Sequence, residues 1–405
     1  MIKIKLKRFV SAILVLIMTT TTFVFAGGTV LTMQDAIKTA VDNSVDITKY
    51  SNAIQKYERE YRESIVSSRQ MKDLLELDDR FRKLSRKGDN RTPQENAEHR
   101  ALYLMFEDYM SFEERLNLEI ASELTPSNME YLINVHKSLL KSAKDNVYLS
   151  VYGSFNKIAK INDSIMIKTS LINNLESNYK IATAKNSLGK LSNNSLKLIG
   201  YDLQKSKIEL SKLKSEKQKL IFDLNRILGI PLDTTYDNYS NEQSAKEMVA
   251  KKPEEYLLLA FTNRDDVKSA QQYYEIKQKE FDITKIYYLM ETEVAHMNAL
   301  VALNDAKNKL DNTKMNVQLQ VTNAYNNFQS QLNNLEKSKI NRDLNERLLQ
   351  DTKQKYNLGL TTELELNKAN INYSQSQLTY LTTSRDAWLA KLNLDLACGI
   401  VVNNN

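Results

Sequence analysis

Ser187-Leu188-Gly189-Lys190-Leu191-Ser192 and Asn357-Leu358-Gly359-Leu360-Thr361-Thr362 are two copies of one punctuation mark. Each ends a long polar–apolar stretch with a leucine and a glycine. A hydroxyl residue of the kind that starts helices follows three positions later. The glycines lie 170 residues apart. A second pair keeps the same offset: Leu224-Asn225-Arg226-Ile227-Leu228-Gly229-Ile230 and Leu394-Asp395-Leu396-Ala397-Cys398-Gly399-Ile400. Lys144 with Lys314, Asn146-Val147 with Asn316-Val317, and Val151 with Val321 hold that register too. Two glycines fixed in register across forty residues, twice, indicate a duplicated unit.

Upstream, the register shifts. Ala40, Asn43, Asp46 and Ile47 correspond to Ala260, Asn263, Asp266 and Val267 at an offset of 220. The first unit is therefore 50 residues longer, and the surplus falls between about residues 65 and 127. That insert holds the charged run Asp78-Asp79-Arg80-Phe81-Arg82-Lys83 and the breaker run Gly88-Asp89-Asn90-Arg91-Thr92-Pro93. The expected division is a leader over 1–26, a first helical repeat over 27–235 with its insert, and a second over 236–405, the two repeats forming one domain.

Between these marks the chain reads as helix. The 405 residues include only nine glycines and four prolines, too few turn-makers for an all-β chain. Neither occurs from Glu254 to Leu358. Leu303, Ala306, Leu310, Val317, Val321, Ala324, Phe328, Leu332 and Leu335 recur at helical spacing and form one apolar stripe. Thr125-Pro126-Ser127 is the expected start of the first long helix, since proline fits a first turn. Repeat symmetry then demands a reversal between Tyr288 and Asn298, where no glycine or proline marks one. Residues 232–243 read as an irregular or strand-like connector. The expected fold is all-α: long antiparallel helical hairpins in a coiled-coil-like bundle, because such stripes cannot be buried by one helix alone.

The N-terminus places Lys3, Lys5, Lys7 and Arg8 before the apolar run Phe9 to Met18, with Val24-Phe25-Ala26 as a cleavage pattern. An uncleaved anchor is the alternative, and ten apolar residues fall short of the roughly 20 that span a bilayer. The formal charge of +6 includes the leader's four positive charges, and no dense basic stripe follows, so nucleic acid is not an expected partner. Cys398 is the only cysteine, which excludes an intramolecular disulfide. His99, His136 and His296 are scattered with no metal-ligand spacing. No phosphate loop or serine elbow is present. No enzyme, cofactor or metal is expected. A pore-forming toxin would need an apolar hairpin, and the longest such runs, Leu257 to Phe261 and Ala299 to Leu303, have five residues each.

Several marks in this order resemble the TolC family of outer-membrane efflux ducts. They are Leu31-Thr32-Met33-Gln34-Asp35-Ala36 with Asn43 and Asp46, then Leu224 to Gly229 with Ile230-Pro231-Leu232-Asp233. Last comes Tyr356-Asn357-Leu358-Gly359-Leu360-Thr361-Thr362-Glu363-Leu364-Glu365-Leu366 with Ala369. The resemblance implies a homotrimer whose helices line a hollow cylinder in the cell envelope, passing solutes outward with a periplasmic adaptor and an inner-membrane pump. It makes Leu188, Gly189, Leu358, Gly359 and Leu360 the adaptor-facing tip. It also suggests a gate at Glu365, although Lys368 stands where the family often has a second acid, and a simple helix-face ion pair is the alternative. One departure is large. Only 93 residues separate Asp266 from Gly359. An ascending helix of about 25 residues and a descending one of about 62 leave no room for membrane strands of roughly 9–11 residues each. Little or no β-barrel is expected, so the alternative function is a non-channel structural or adaptor-binding spacer of the envelope.

Overall fold

The computed structural model describes residues 30–240 and 248–400; the leader at 1–26 lies outside them. The chain opens with β1 (Val30–Thr32), α1 (Met33–Asp42), α2 (Val45–Lys87) and α3 (Pro93–Phe106), the last two joined by a 3₁₀ turn at Gly88–Asn90. There follow α4 (Phe112–Ser187), α5 (Asn193–Leu228), β2 (Asn238–Ser240) and α6 (Pro253–Asn263). The chain ends with α7 (Asp265–Tyr287), α8 (Val294–Asn357) and α9 (Glu363–Ala397). The only strands among the described residues are the two three-residue pieces, paired parallel with Val30 opposite Asn238. No strand of membrane-barrel length is present there.

Six long helices form a layer that is four helices wide at either end. Toward one end its lateral order is α2–α4–α7–α8; toward the other it is α5–α4–α9–α8. Where the two orders meet, α5 stops beneath α1 and α2, and α9 stops beneath α6 and α7. Asn43 Nδ2 donates to the Leu228 carbonyl at 2.7 Å, and Arg264 Nη1 to the Ala397 carbonyl at 3.1 Å. Both junctions need glycine. A Cβ on Gly229 would sit 2.9 Å from Asn43 Cβ, and one on Gly399 would meet the Asn263 backbone at 3.1 Å.

Two equivalent cores lie at these junctions. In the first, Ala36 and Ala40 of α1 pack with Val151 and Ile158 of α4 and with Leu224 and Leu228 of α5. In the second, Tyr256 and Ala260 of α6 pack with Val321 and Phe328 of α8 and with Leu394 and Cys398 of α9. The pairs Val151/Val321, Ile158/Phe328, Leu224/Leu394 and Leu228/Cys398 all keep the 170-residue offset, so the duplication read from the glycines is a duplication of packing. Trimming Phe328, fully buried, to alanine removes about 3–5 kcal/mol of that packing.

The expected helix start at Pro126 is wrong. α4 begins fourteen residues earlier, where Ser111 and Glu114 form a reciprocal capping box, and Pro126 lies inside a helix of 76 residues, about 114 Å long. A proline there deprives the Ser122 carbonyl of its usual donor. Ser68 Oγ of α2 supplies the missing hydrogen bond at 2.5 Å. The helix tolerates the proline because a neighbour completes its backbone.

The reversal after α7 falls at Tyr288 to Glu293, inside the expected interval, with α7 of 23 residues and α8 of 64 on either side. Buried His296 holds it without glycine or proline: Nδ1 donates to the Tyr288 carbonyl at 2.9 Å, and its ring meets Phe281 edge-on at 5.2 Å. The insert is a helical excursion. α2 runs on to Lys87 and α3 folds back along it through Phe81, Leu84 and Leu102.

Candidate functional site: the paired hairpin tips

α4 and α8 end alike. At the first tip Gly189 N–H donates to Asn186 at 2.9 Å and Lys190 N–H to Lys185 at 2.8 Å; at the second, Gly359 donates to Tyr356 at 2.9 Å and Leu360 to Lys355 at 2.8 Å. This is the paired closing pattern of a left-handed C-terminal cap, and Gly189 and Gly359 have φ of +71° and +73°. An added Cβ would meet nothing within 4 Å at either glycine, so backbone conformation alone selects them. Ser192 and Thr362 then cap α5 and α9, accepting from the amides of Ser195 and Glu365 at 3.1 and 3.3 Å.

The two tips lie at one end of the molecule. Asn178, eleven residues before Gly189, is bonded to Asn367, eight residues after Gly359, at 3.4 Å. Leu188, Leu358 and Leu360 stand 70–73% exposed on these turns. Glu365 sits on the first turn of α9, exposed, and Lys368 Nζ lies 3.0 Å from its carboxylate. Within one chain the acid is thus already paired with a lysine.

Above the tips the two hairpins meet through polar contacts. Lys160 reaches Asp386 at 2.5 Å, and Arg385 pairs with Asp163. At the junction level a cavity of about 300 Å³ is bordered by Lys141, Asp145, Arg264, Asp265 and Asp266. Burial there pushes the Asp145 carboxyl above its ordinary value, against the lowering effect of Lys141 and with help from Asp265. No cluster able to hold a metal occurs among the described residues. No helix there is long and apolar enough to cross a membrane.

The sequence reading missed a second apolar stripe on α8. Val301, Met315, Leu319, Ile340, Leu344 and Leu348 are 51–60% exposed. At 100° per residue they fall within about 80° of one another, on the side opposite Ala306, Leu310, Val317, Val321 and Phe328. The same periodicity that located the buried stripe would have located this one.

No family model matches the sequence, and no curated protein does. Solved structures do. A membrane protein from Pseudomonas aeruginosa superposes with a TM-score of 0.61 at 9% identity, covering 91% of this chain and 90% of that one. The outer-membrane channel CmeC of Campylobacter jejuni gives 0.59 at 10% identity, covering 91% and 85%. The channel CusC gives 0.58 at 12% identity, covering 94% and 96%. The fold is that of the TolC-like outer-membrane channels. Two of these fold neighbours, CmeC and CusC, are channels.

Proposed function

We propose that this chain is the subunit of a homotrimeric TolC-like duct of the cell envelope, passing solutes outward together with a periplasmic adaptor and an inner-membrane pump. The observation that carries the reading is the pair of unpartnered edges. α8 forms one edge of the layer, with its exposed stripe facing away from the protomer. α5 forms the other, exposing Leu198, Tyr201 and Ile208 on the side opposite Ile221, Leu224 and Leu228. Ile208 and Ile340 each lie nineteen residues from their tip glycine, about 28 Å above it. Edges that match at equal height are what a ring generated by rotation requires, since each copy presents one edge to the next. In this reading three copies close the layer into a hollow wall, and the outer membrane is the corresponding location.

In this reading Leu188, Gly189, Leu358, Gly359 and Leu360 form the rim that meets the adaptor. Glu365 stands one turn inside it, and three copies give a ring of carboxylates whose field the three Lys368 largely offset. The second reading, a non-channel envelope spacer, is favoured by one observation: the described residues hold no strand of membrane length.

Light scattering on the chain lacking residues 1–26 tests the duct reading. The expected species is a trimer, reduced to a monomer of unchanged helicity by Leu344→Lys with Leu348→Lys. A wild-type monomer at micromolar concentration would overturn it.

A further inference from the structure

We infer that the inserted helix α3 closes the end of the ring opposite the tips, packing against the α7–α8 turn of a second copy. The inference rests on the ring proposed above. α3 lies at the outermost edge of the layer. On α2, Ser68, Asp78 and Arg82 face α4, through Ser122, Arg115 and the Met110 backbone, while Phe81 and Leu84 face α3 about 130° further round the helix, and α3 packs on α2 rather than on α4. The order at this end is therefore α3–α2–α4–α7–α8, and a neighbouring copy meets α3, not α2.

Both surfaces are apolar and bare. Tyr103, Leu104 and Met105 are 54–74% exposed on α3; Leu289, Met290 and Val294 are 67–77% exposed at the turn. They also lie at similar height. Asp78 holds the end of the α3 excursion to the start of α4 through Met110 N–H and Arg115. The start of α4 is in turn beside the end of α7: Phe112 lies 6.5 Å from Tyr287, whose hydroxyl donates to Glu119 at 2.5 Å. Charge agrees as well. Arg100, one turn before Leu104, and Glu291 in the turn are both exposed, and neither has an ion-pair partner among the described residues. Apolar contact at the centre with a complementary pair at its rim is the usual build of a specific interface.

An anionic bilayer is the competing occupant of the same patch, and cysteine cross-linking separates the two. In the chain lacking residues 1–26 and carrying Cys398→Ala, Leu104→Cys with Met290→Cys tests the new contact, and Ile208→Cys with Ile340→Cys tests the ring itself. Mild oxidation is expected to shift both pairs to dimer and trimer bands, while each single-cysteine variant stays monomeric on a denaturing gel. A ladder from the lower pair alone overturns this inference and leaves the ring standing. No ladder from either pair overturns both. As a second measurement, Leu104→Glu with Met105→Glu leaves a folded trimer whose upper end is cut faster by protease. Flotation of the wild-type chain with phosphatidylglycerol vesicles, lost in that variant while the upper pair fails to cross-link, would assign the patch to lipid instead.

Discussion

Replacing Ser68 by alanine isolates a place in the interior of a long helix where a neighbour completes its backbone. Ser68 Oγ is the donor to the Ser122 carbonyl that Pro126 cannot serve, and Ser68 and Ser122 are 8% and 2% exposed. Water therefore cannot replace the hydroxyl without opening the α2–α4 contact. A buried carbonyl left unpaired costs about 1–3 kcal/mol, so Ser68→Ala should lower stability by about 2 kcal/mol. Pro126→Ala restores an N–H aimed at the same carbonyl and relieves a proline in a helix interior, worth up to about 3 kcal/mol. In that background the serine is redundant, and Ser68→Ala should cost no more than about 0.5 kcal/mol. The coupling, about 1.5 kcal/mol, is read from a double-mutant cycle of urea unfolding curves followed by helical circular dichroism. Amide exchange across residues 122–126 reports the same loss locally. An equal cost for Ser68→Ala in both backgrounds would refute the reasoning and mean that α4 bends or fills the gap by itself.

The remaining predictions concern charges and glycines. Asp78 is fully buried between Arg82 and Arg115, and removing it takes from Arg82 its carboxylate partner and leaves Arg115 with Asp79 alone, so Asp78→Ala should cost about 3 kcal/mol in a melt. Burial pushes the Asp78 carboxyl up, but hydrogen bonds from Arg82, the Met110 amide and Arg115 outweigh it and hold the carboxyl below its ordinary 3.8. Its contribution is therefore complete above that pH and is lost as pH falls through the lowered value, an acid limb that Asp78→Ala should flatten. Asp145 has the opposite sign: its raised carboxyl penalises the folded state at neutral pH, and Asp145→Asn should raise the melting temperature at pH 7 and not below pH 3. Gly189→Ala and Gly359→Ala should each cost about 1–2 kcal/mol for the left-handed backbone alone. Gly229→Ala and Gly399→Ala should cost about 1 kcal/mol more, because Asn43 and the Asn263 backbone stand in the way. Equal losses at all four glycines would count against the junction packing.

Local chemistry made much of this architecture legible. The four glycines that end α4, α5, α8 and α9 announced both the duplication and its register, because only glycine closes that cap without strain. Helicity between those marks followed from the absence of breakers. Pro126 misled for the same local reason: proline suits a first turn, and the hydroxyl that excuses it here belongs to Ser68, 54 residues before the carbonyl it serves. The true start was present as Ser111 and Glu114, a legible capping box. The reversal before α8 carried no turn signal, since a buried histidine from the following helix fixes it. The tip residues were found by their turn chemistry, whereas the second stripe on α8 went unread because one apolar face sufficed to explain a helix. What α3 does was beyond sequence reasoning, since its outward face acquires meaning only once its place at the edge of the layer is known.

Images of purified particles viewed along the helix axis test the central claim most directly. The account requires end-on class averages with threefold symmetry and an open centre, ringed by twelve helices near the tip, four from each copy: α5, α4, α9 and α8. Rods one protomer wide, or a closed bundle with no central opening at any height, would contradict it.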